Sequence, residues 1–126
     1  MNQTQNLHLP QWEAEDRILR TDFNDAMAAI DAAVPRIVTG TYTGDGAATR
    51  TIPLDFTPKI LYVCRNDGAG TYNGNEFHGG LAMTGYPSCH NSKNFLEITE
   101  NGFIVGLDTT RKTNTSGTTY YYVALF

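Results

Sequence analysis

The chain has 126 residues, a length that accommodates one domain with an appendage. Hydrophobic residues at 40% against 17% charged ones supply a packed core and argue against wholesale disorder. No apolar run approaches the ~18 residues of a membrane-spanning helix, the start lacks the basic and apolar stretches of a secretory signal, and a net charge of -4 argues against a nucleic-acid partner.

The composition is unevenly distributed. Residues 1–35 carry six acidic side chains against Arg17 and Arg20, whereas residues 36–126 carry seven acidic and seven basic ones. All twelve glycines fall between Gly40 and Gly117, and twelve of the fourteen aromatic residues follow residue 35. An acidic, Ala-rich, Gly-free segment followed by a neutral, Gly- and Tyr-rich one predicts a helical arm over residues 1–35 and a β module over residues 36–126.

Taken in chain order, Met1–Leu9 reads as a polar, mobile lead and Pro10 as the start of order. Trp12–Arg20 either continues the following helix or forms a separate turn. Thr21 or Asp22 can cap a helix, and Asp22 and Asp25 suit the positive end of its dipole. Phe23 to Val34 is rich in helix formers, and Pro35 stops the run because the residue before proline leaves the α region. Leu19, Phe23, Ala26, Ile30 and Ala33 follow the 4-3-4-3 spacing of a coiled-coil seam, onto which Asp16 also falls. A helix of this length spans about 20 Å and is marginal alone in water, so it must bury Phe23 and Ile30. It does so either on its own chain's sheet or against identical helices. Self-association is the favoured reading, because the segment has neither charge balance nor a Gly hinge for folding back.

Beyond Pro35 the hydrophobic period changes from 3.6 to 2. Val38 to Thr43 reads as a strand ended by the turn Thr43-Gly44-Asp45-Gly46. In Thr51 to Phe56, Ile52, Leu54 and Phe56 share a face, and Pro53 indicates an edge or a bulge. Lys59 to Arg65 is apolar and reads as a central strand buried on both faces. Phe77 to Thr84 is a weaker strand whose Gly79-Gly80 points to a bulge or a close backbone approach. Asn94 to Thr99 and Phe103 to Leu107 flank the hairpin signal Asn101-Gly102. Thr118 to Phe126 forms a last strand, tied down, with Tyr120, Tyr121 and Tyr122 pointing to both faces. Short strands with intervening turns and no helices predict an antiparallel, jelly-roll-like β-sandwich.

The chemistry is sparse. Cys64 in the most apolar strand reads as a small hydrophobe, and no disulfide with Cys89 is expected. A zinc set drawn from Cys64, His78, Cys89 and His90 lacks the usual ligand spacing, so neither a metal nor another cofactor is expected. Cys89-His90 is a poor nucleophile pair, since adjacent strand residues point to opposite faces. The Gly-rich stretches Gly44-Asp45-Gly46 and Gly68-Ala69-Gly70 run into no helix that could hold a phosphate. Surface recognition is what remains. Three loops, 66–76, 85–93 and 108–117, offer Asn66, Asp67, Tyr72, Asn73, Asn75, Tyr86, His90, Asn91 and Asn114. Tyr and Asn on anchored loops supply stacking surface with paired donors and acceptors, which suits a sugar and equally describes a plain solvated loop.

Leu9-Pro10-Gln11-Trp12, Asp16, Asp22-Phe23-Asn24-Asp25-Ala26-Met27 and Ile30-Asp31-Ala32-Ala33 together resemble the N-terminal attachment segment of phage and prophage tail fibres of Gram-positive bacteria. Gly40-Thr41-Tyr42-Thr43-Gly44-Asp45-Gly46, Phe56-Thr57-Pro58-Lys59, Gly79-Gly80-Leu81-Ala82 and the aromatic ending Tyr120–Val123 are similar to distal modules of such proteins. The long shaft of repeats between anchor and head is absent. The resemblance implies a homotrimeric virion component assembled in the bacterial cytoplasm. Its helices would gather at a phage tail or baseplate protein, and its head would meet a host surface glycan without catalysis, membrane insertion or nucleic acid. The alternatives are a structural tail or baseplate subunit without a receptor, and a small glycan-degrading enzyme using Asp67, Glu76 and Asp108.

Overall fold

A computed structural model describes residues 1–72 and 74–126, with Thr71 and Tyr72 described by backbone alone. The chain divides into two compact units, Met1–Pro35 and Arg36–Phe126.

In the first unit the expected mobile lead is paired. Strand β1 (Asn2–Gln3) runs antiparallel to β2 (Pro10–Gln11). Thr4 closes this hairpin: its N–H donates to the Leu9 carbonyl at 2.9 Å and its hydroxyl accepts from the Leu9 N–H at 2.9 Å. Asp16 leaves the helix seam altogether. Its carboxylate accepts the Glu13 N–H at 2.8 Å, and its own N–H donates back to the Glu13 carbonyl. Trp12–Arg20 is therefore mostly turn and extended chain, and helix α1 runs over Arg20–Ala33.

The capping expectation is corrected. Leu19 is the extended N-cap and makes no side-chain cap bond, so Thr21 and Asp22 lie inside the first turn, where Asp22 still complements the helix dipole. At the other end Val34 is already extended, as the steric demand of Pro35 requires. The seam is also redrawn. Ala26 is buried, and with Asp22 and Ala29 it lines a cleft against Gln3, Leu9 and Pro10 of the hairpin. Leu19, Phe23, Met27 and Val34 are exposed, with Ile30 half-buried among them. At 100° per residue these five positions fall within about 80° of one another. Ala33 is exposed but lies outside that stripe.

The second unit holds two antiparallel sheets of four strands. Its strands are β3 (Ile37–Thr43), β4 (Thr49–Pro53), β5 (Ile60–Arg65), β6 (Thr71–Tyr72), β7 (Glu76–Phe77), β8 (Gly80–Met83), β9 (Ser88–His90), β10 (Lys93–Thr99), β11 (Gly102–Gly106) and β12 (Thr119–Leu125). One sheet has the order β3-β12-β5-β8 and the other β4-β11-β10-β9, while β6 and β7 pair separately. Tyr42, Leu61, Val63, Ala82, Tyr120 and Ala124 from the first sheet meet Ile52, Phe95, Leu96, Phe103 and Val105 from the second in one continuous core. Leu54 and Phe56 pack against it, as their shared face with Ile52 predicts. Pro53 sits on β4, an edge strand, where its missing N–H costs no ladder bond. The last strand is interior, and Phe126 exchanges backbone hydrogen bonds with Arg36 at 3.0 Å.

Three local readings change. β5 is interior to its sheet yet buried on one face only: Leu61 and Val63 point inward, while Tyr62 is exposed and Ile60 and Cys64 are half-buried. Cys64 and Cys89 are both free thiols. The stretch 77–84 is broken rather than continuous, because Gly79 lies against β5 where a Cβ would run into the Val63 carbonyl. In the hairpin of β10 and β11 the left-handed residue is Asn101, with φ 60°, and not Gly102. Gly102 is required for another reason, since its Cβ would meet the Ile52 carbonyl of β4.

Gly79→Ala is expected to cost about 1–3 kcal/mol, the range for forcing atoms into a packed site. Gly70→Ala, whose Cβ meets nothing within 4 Å, is expected to stay within about 0.5 kcal/mol of the parent. Urea midpoints of the two variants at a common m-value check the contrast.

Candidate functional site

The two sheets place their connections at two ends, and the ends differ. Register puts Thr43 beside Thr119 and Tyr120 beside Arg65 in one sheet, and Thr49 beside Gly106 and His90 beside Lys93 in the other. The connections 44–48, 66–79, 91–92 and 107–118 therefore gather at one end. Arg36, Phe126 and the turns 84–87 and 100–101 gather at the opposite end.

Phe77 joins three connections at the loop end. Its N–H donates to the Thr110 carbonyl at 3.0 Å, and its carbonyl accepts from Lys112 at 2.9 Å. Its ring stacks on Phe95 at 4.8 Å and lies tilted against the His90 ring at 4.7 Å. His90 and Lys93 flank Asn91 and Ser92, both left-handed with φ 49° and 63°, which is the geometry of a tight two-residue hairpin. The loop read as 85–93 thus contains a strand, β9, that its short and polar sequence did not announce.

The carboxylates at this end serve their own turns. Asp67 takes a two-point contact from Arg65, at 3.0 and 2.6 Å, and accepts the Ala69 N–H at 3.0 Å. Those bonds, the guanidinium first, hold its carboxyl down to about 2. Asp108 accepts the N–H groups of Thr110 and Arg111 at 2.8 and 2.7 Å and pairs with the Arg111 guanidinium at 2.9 Å. Lys93 approaches it at 3.5 Å. The backbone donors, with the guanidinium behind them, push its carboxyl well below the usual range. Glu76 lies 3.7 Å from His78. Among the described residues no three His, Cys, Asp or Glu side chains are grouped to hold a metal ion.

The nine recognition candidates fare differently. Asn66, Asp67, Asn75 and Asn91 are exposed at the loop end, and His90 is half-buried there against Phe77. Asn73 and the side chain of Tyr72 lie outside the described residues. Tyr86 is exposed but sits at the opposite end, where its backbone exchanges hydrogen bonds with Met83 at 3.0 and 2.8 Å. Asn114 is a correction: it is fully buried, at 0% exposure. Its amide donates to Asp45 at 2.7 Å and to the Ala47 carbonyl at 3.1 Å, and its oxygen accepts from the Asp45 N–H at 3.2 Å. It clamps the turn between β3 and β4 and has no group to spare for a ligand. Residues missed by the sequence reading are Phe77, Lys93 and Arg111, whose only signal is their proximity to the chosen loops.

No family model matches this sequence, and no curated protein or solved structure matches it either.

Asn114→Ala strands the donors and acceptors it serves, so a loss of about 2–3 kcal/mol is expected from chemical unfolding. His78 gives a pH-dependent counterpart. It is buried at 6% exposure, neither ring nitrogen has a hydrogen-bond partner among the described residues, and burial lowers its pKa. The folded chain then binds fewer protons than the unfolded chain once the pH falls through the ordinary histidine value of about 6.5. Stability is expected to drop as the pH falls below about 6.5, and His78→Gln to flatten that slope. The depressed carboxylates do not interfere, because their contribution is present above the ordinary value of 3.8 and is lost only below it.

Proposed function

We propose that this chain is a non-enzymatic, homotrimeric phage tail fibre or receptor-binding protein whose β head recognises a host surface glycan. In this reading the second unit is a β-sandwich whose outer pairs, β3 with β12 and β4 with β11, are nested as in a jelly roll, whereas its inner strands pair as neighbours, β5 with β8 and β10 with β9. The first unit is the anchor, gathered with its copies on a tail or baseplate protein of the virion along Leu19, Phe23, Met27, Ile30 and Val34.

One observation carries the reading. Asn66, Asn75, His90 and Asn91 come together at the end opposite the point where the chain enters the β module, on connections braced by Phe77 and Asp108. Braced loops present adaptable amide groups and an imidazole face with little ordering cost, which is a recognition surface rather than a reaction centre. Affinity would come from several weak contacts acting together through effective concentration. The motif resemblance supports the same assignment.

Binding of the full chain to host-wall polysaccharide is the test. Saturable binding without turnover is expected, weakened about tenfold or more by His90→Ala and by Asn75→Ala. Silence across host polysaccharides would favour a structural tail or baseplate subunit. Cleavage of the polysaccharide would favour the enzyme reading. A monomer in sedimentation across the micromolar range would overturn the trimer.

A further inference from the structure

An antiparallel sheet with one solvated face ordinarily shows polar residues on it. The β4-β11-β10-β9 sheet follows that rule, with Thr49, Thr51, Glu97 and Thr99 on its outer side. The β3-β12-β5-β8 sheet breaks it. Pairing places Val123, Tyr62 and Leu81 in one row across its outer side, and Ile37, Leu125, Ile60 and Met83 in the next. Tyr121 and Cys64 start a third row beside Thr41. No outward position on the four strands is charged; the only polar ones are threonines of β3 and Thr119 of β12.

These side chains are open to solvent. Ile37 is 64% exposed, Leu81 58%, Tyr121 49%, Tyr62 45% and Met83 42%. Tyr86, whose backbone bonds to Met83, adds a further exposed ring at the margin. At about 150–250 Å² per large side chain, the patch amounts to on the order of 500–800 Å². That lies at or above the ~300–600 Å² of the largest patch on an ordinary monomer, and it approaches the ~800 Å² that one partner contributes to a standard interface.

We infer that the outer face of the β3-β12-β5-β8 sheet is a contact surface for a second copy of this chain. The area is what a stable self-association needs, and the absence of charge removes the repulsion that two identical faces would otherwise meet. The same absence leaves a charged partner or an anionic membrane surface nothing to pair with. Tyr, Met and aliphatic side chains without Lys or Glu form the composition of an interface centre. From the proposed function the inference takes only that the chain self-associates; the surface it names is separate from the stripe on α1.

Sedimentation of three full-length chains distinguishes the two surfaces: the parent, Leu81→Glu on the sheet, and Phe23→Glu with Met27→Glu on the arm. Both sets of substitutions fall on exposed positions, so folding is retained. The parent is expected to sediment as a multiple of 13.9 kDa, and Leu81→Glu to weaken association about tenfold or more. Thiol alkylation of the unaltered parent is an independent readout, with Cys64 on the face slowing as concentration rises and exposed Cys89 reacting at a constant rate. Leu81→Glu associating like the parent, or Cys64 reacting independently of concentration, overturns the inference and leaves the arm's role standing. An arm variant that stays associated while Leu81→Glu falls apart supports the inference and removes the arm's role. A parent that is monomeric throughout overturns both.

Discussion

Tyr120 carries the constraint on which the β module depends. Its ring is completely buried on an interior strand, stacked on Tyr42 at 4.9 Å. A buried phenol must place its hydroxyl, because an unpaired one costs as much as a lost hydrogen bond. Tyr120 donates to the Lys112 carbonyl and accepts the Thr115 N–H, and Tyr42 donates to the Thr113 carbonyl at 2.7 Å. Burial raises the Tyr42 phenol well above its ordinary value, so that donor persists at every working pH. Thr113, itself buried, donates to the Phe95 carbonyl at 2.7 Å and accepts the Gly106 N–H at 2.9 Å. The segment 112–115 is thereby pulled into the interior between the sheets.

That inward pull organises the loop end. With 112–115 fixed, Asn114 holds the β3–β4 turn, and Thr110 and Lys112 receive Phe77 on their backbone. Phe77 in turn carries His90 on its ring. The exposed Asn66 and Asn75 thus lie on a connection tied by backbone hydrogen bonds at Asn66, Phe77 and His78, and Asn91 lies in the tight β9–β10 hairpin. Rigid mounting of polar side chains is what lets a shallow surface discriminate, because little is lost in ordering them on contact. The recognition reading rests on this mounting more than on the identity of any one side chain.

Two apolar surfaces are left over after the core is filled, and they arise differently. On α1 the stripe from Leu19 to Val34 is left open because the hairpin takes only the adjoining face, at Ala26 and Ala29. On the sheet, the outer rows exist because β5 and β12 alternate between two apolar faces rather than one. Strand β5 reads as buried on both sides because its sequence is apolar on both sides. The single chain covers one of them.

The longer strands β3, β4, β10, β11 and β12 were legible in the sequence, because a period of 2 and the punctuation by Gly, Pro and Asn are local properties. Pro53 on an edge, Ile52 with Leu54 and Phe56 facing the core, and the tied last strand all follow from local pattern. So does the helix stop at Pro35. The start of α1 was less legible: Thr21 and Asp22 read as caps, yet the N-cap is Leu19, which offers no capping side chain. What only the tertiary structure decided were matters of long-range pairing. Asn114 is indistinguishable by type from the exposed Asn66, Asn75 and Asn91, and it is buried because two tyrosine hydroxyls draw its loop inward. Gly102, half of the Asn101-Gly102 hairpin signal, also makes room for a neighbouring strand. Tyr86 was grouped with the other loop residues by spacing and is parted from them by strand direction. Sequence records which side chains can share a face, but which loops share an end depends on how strands far apart in the chain are paired.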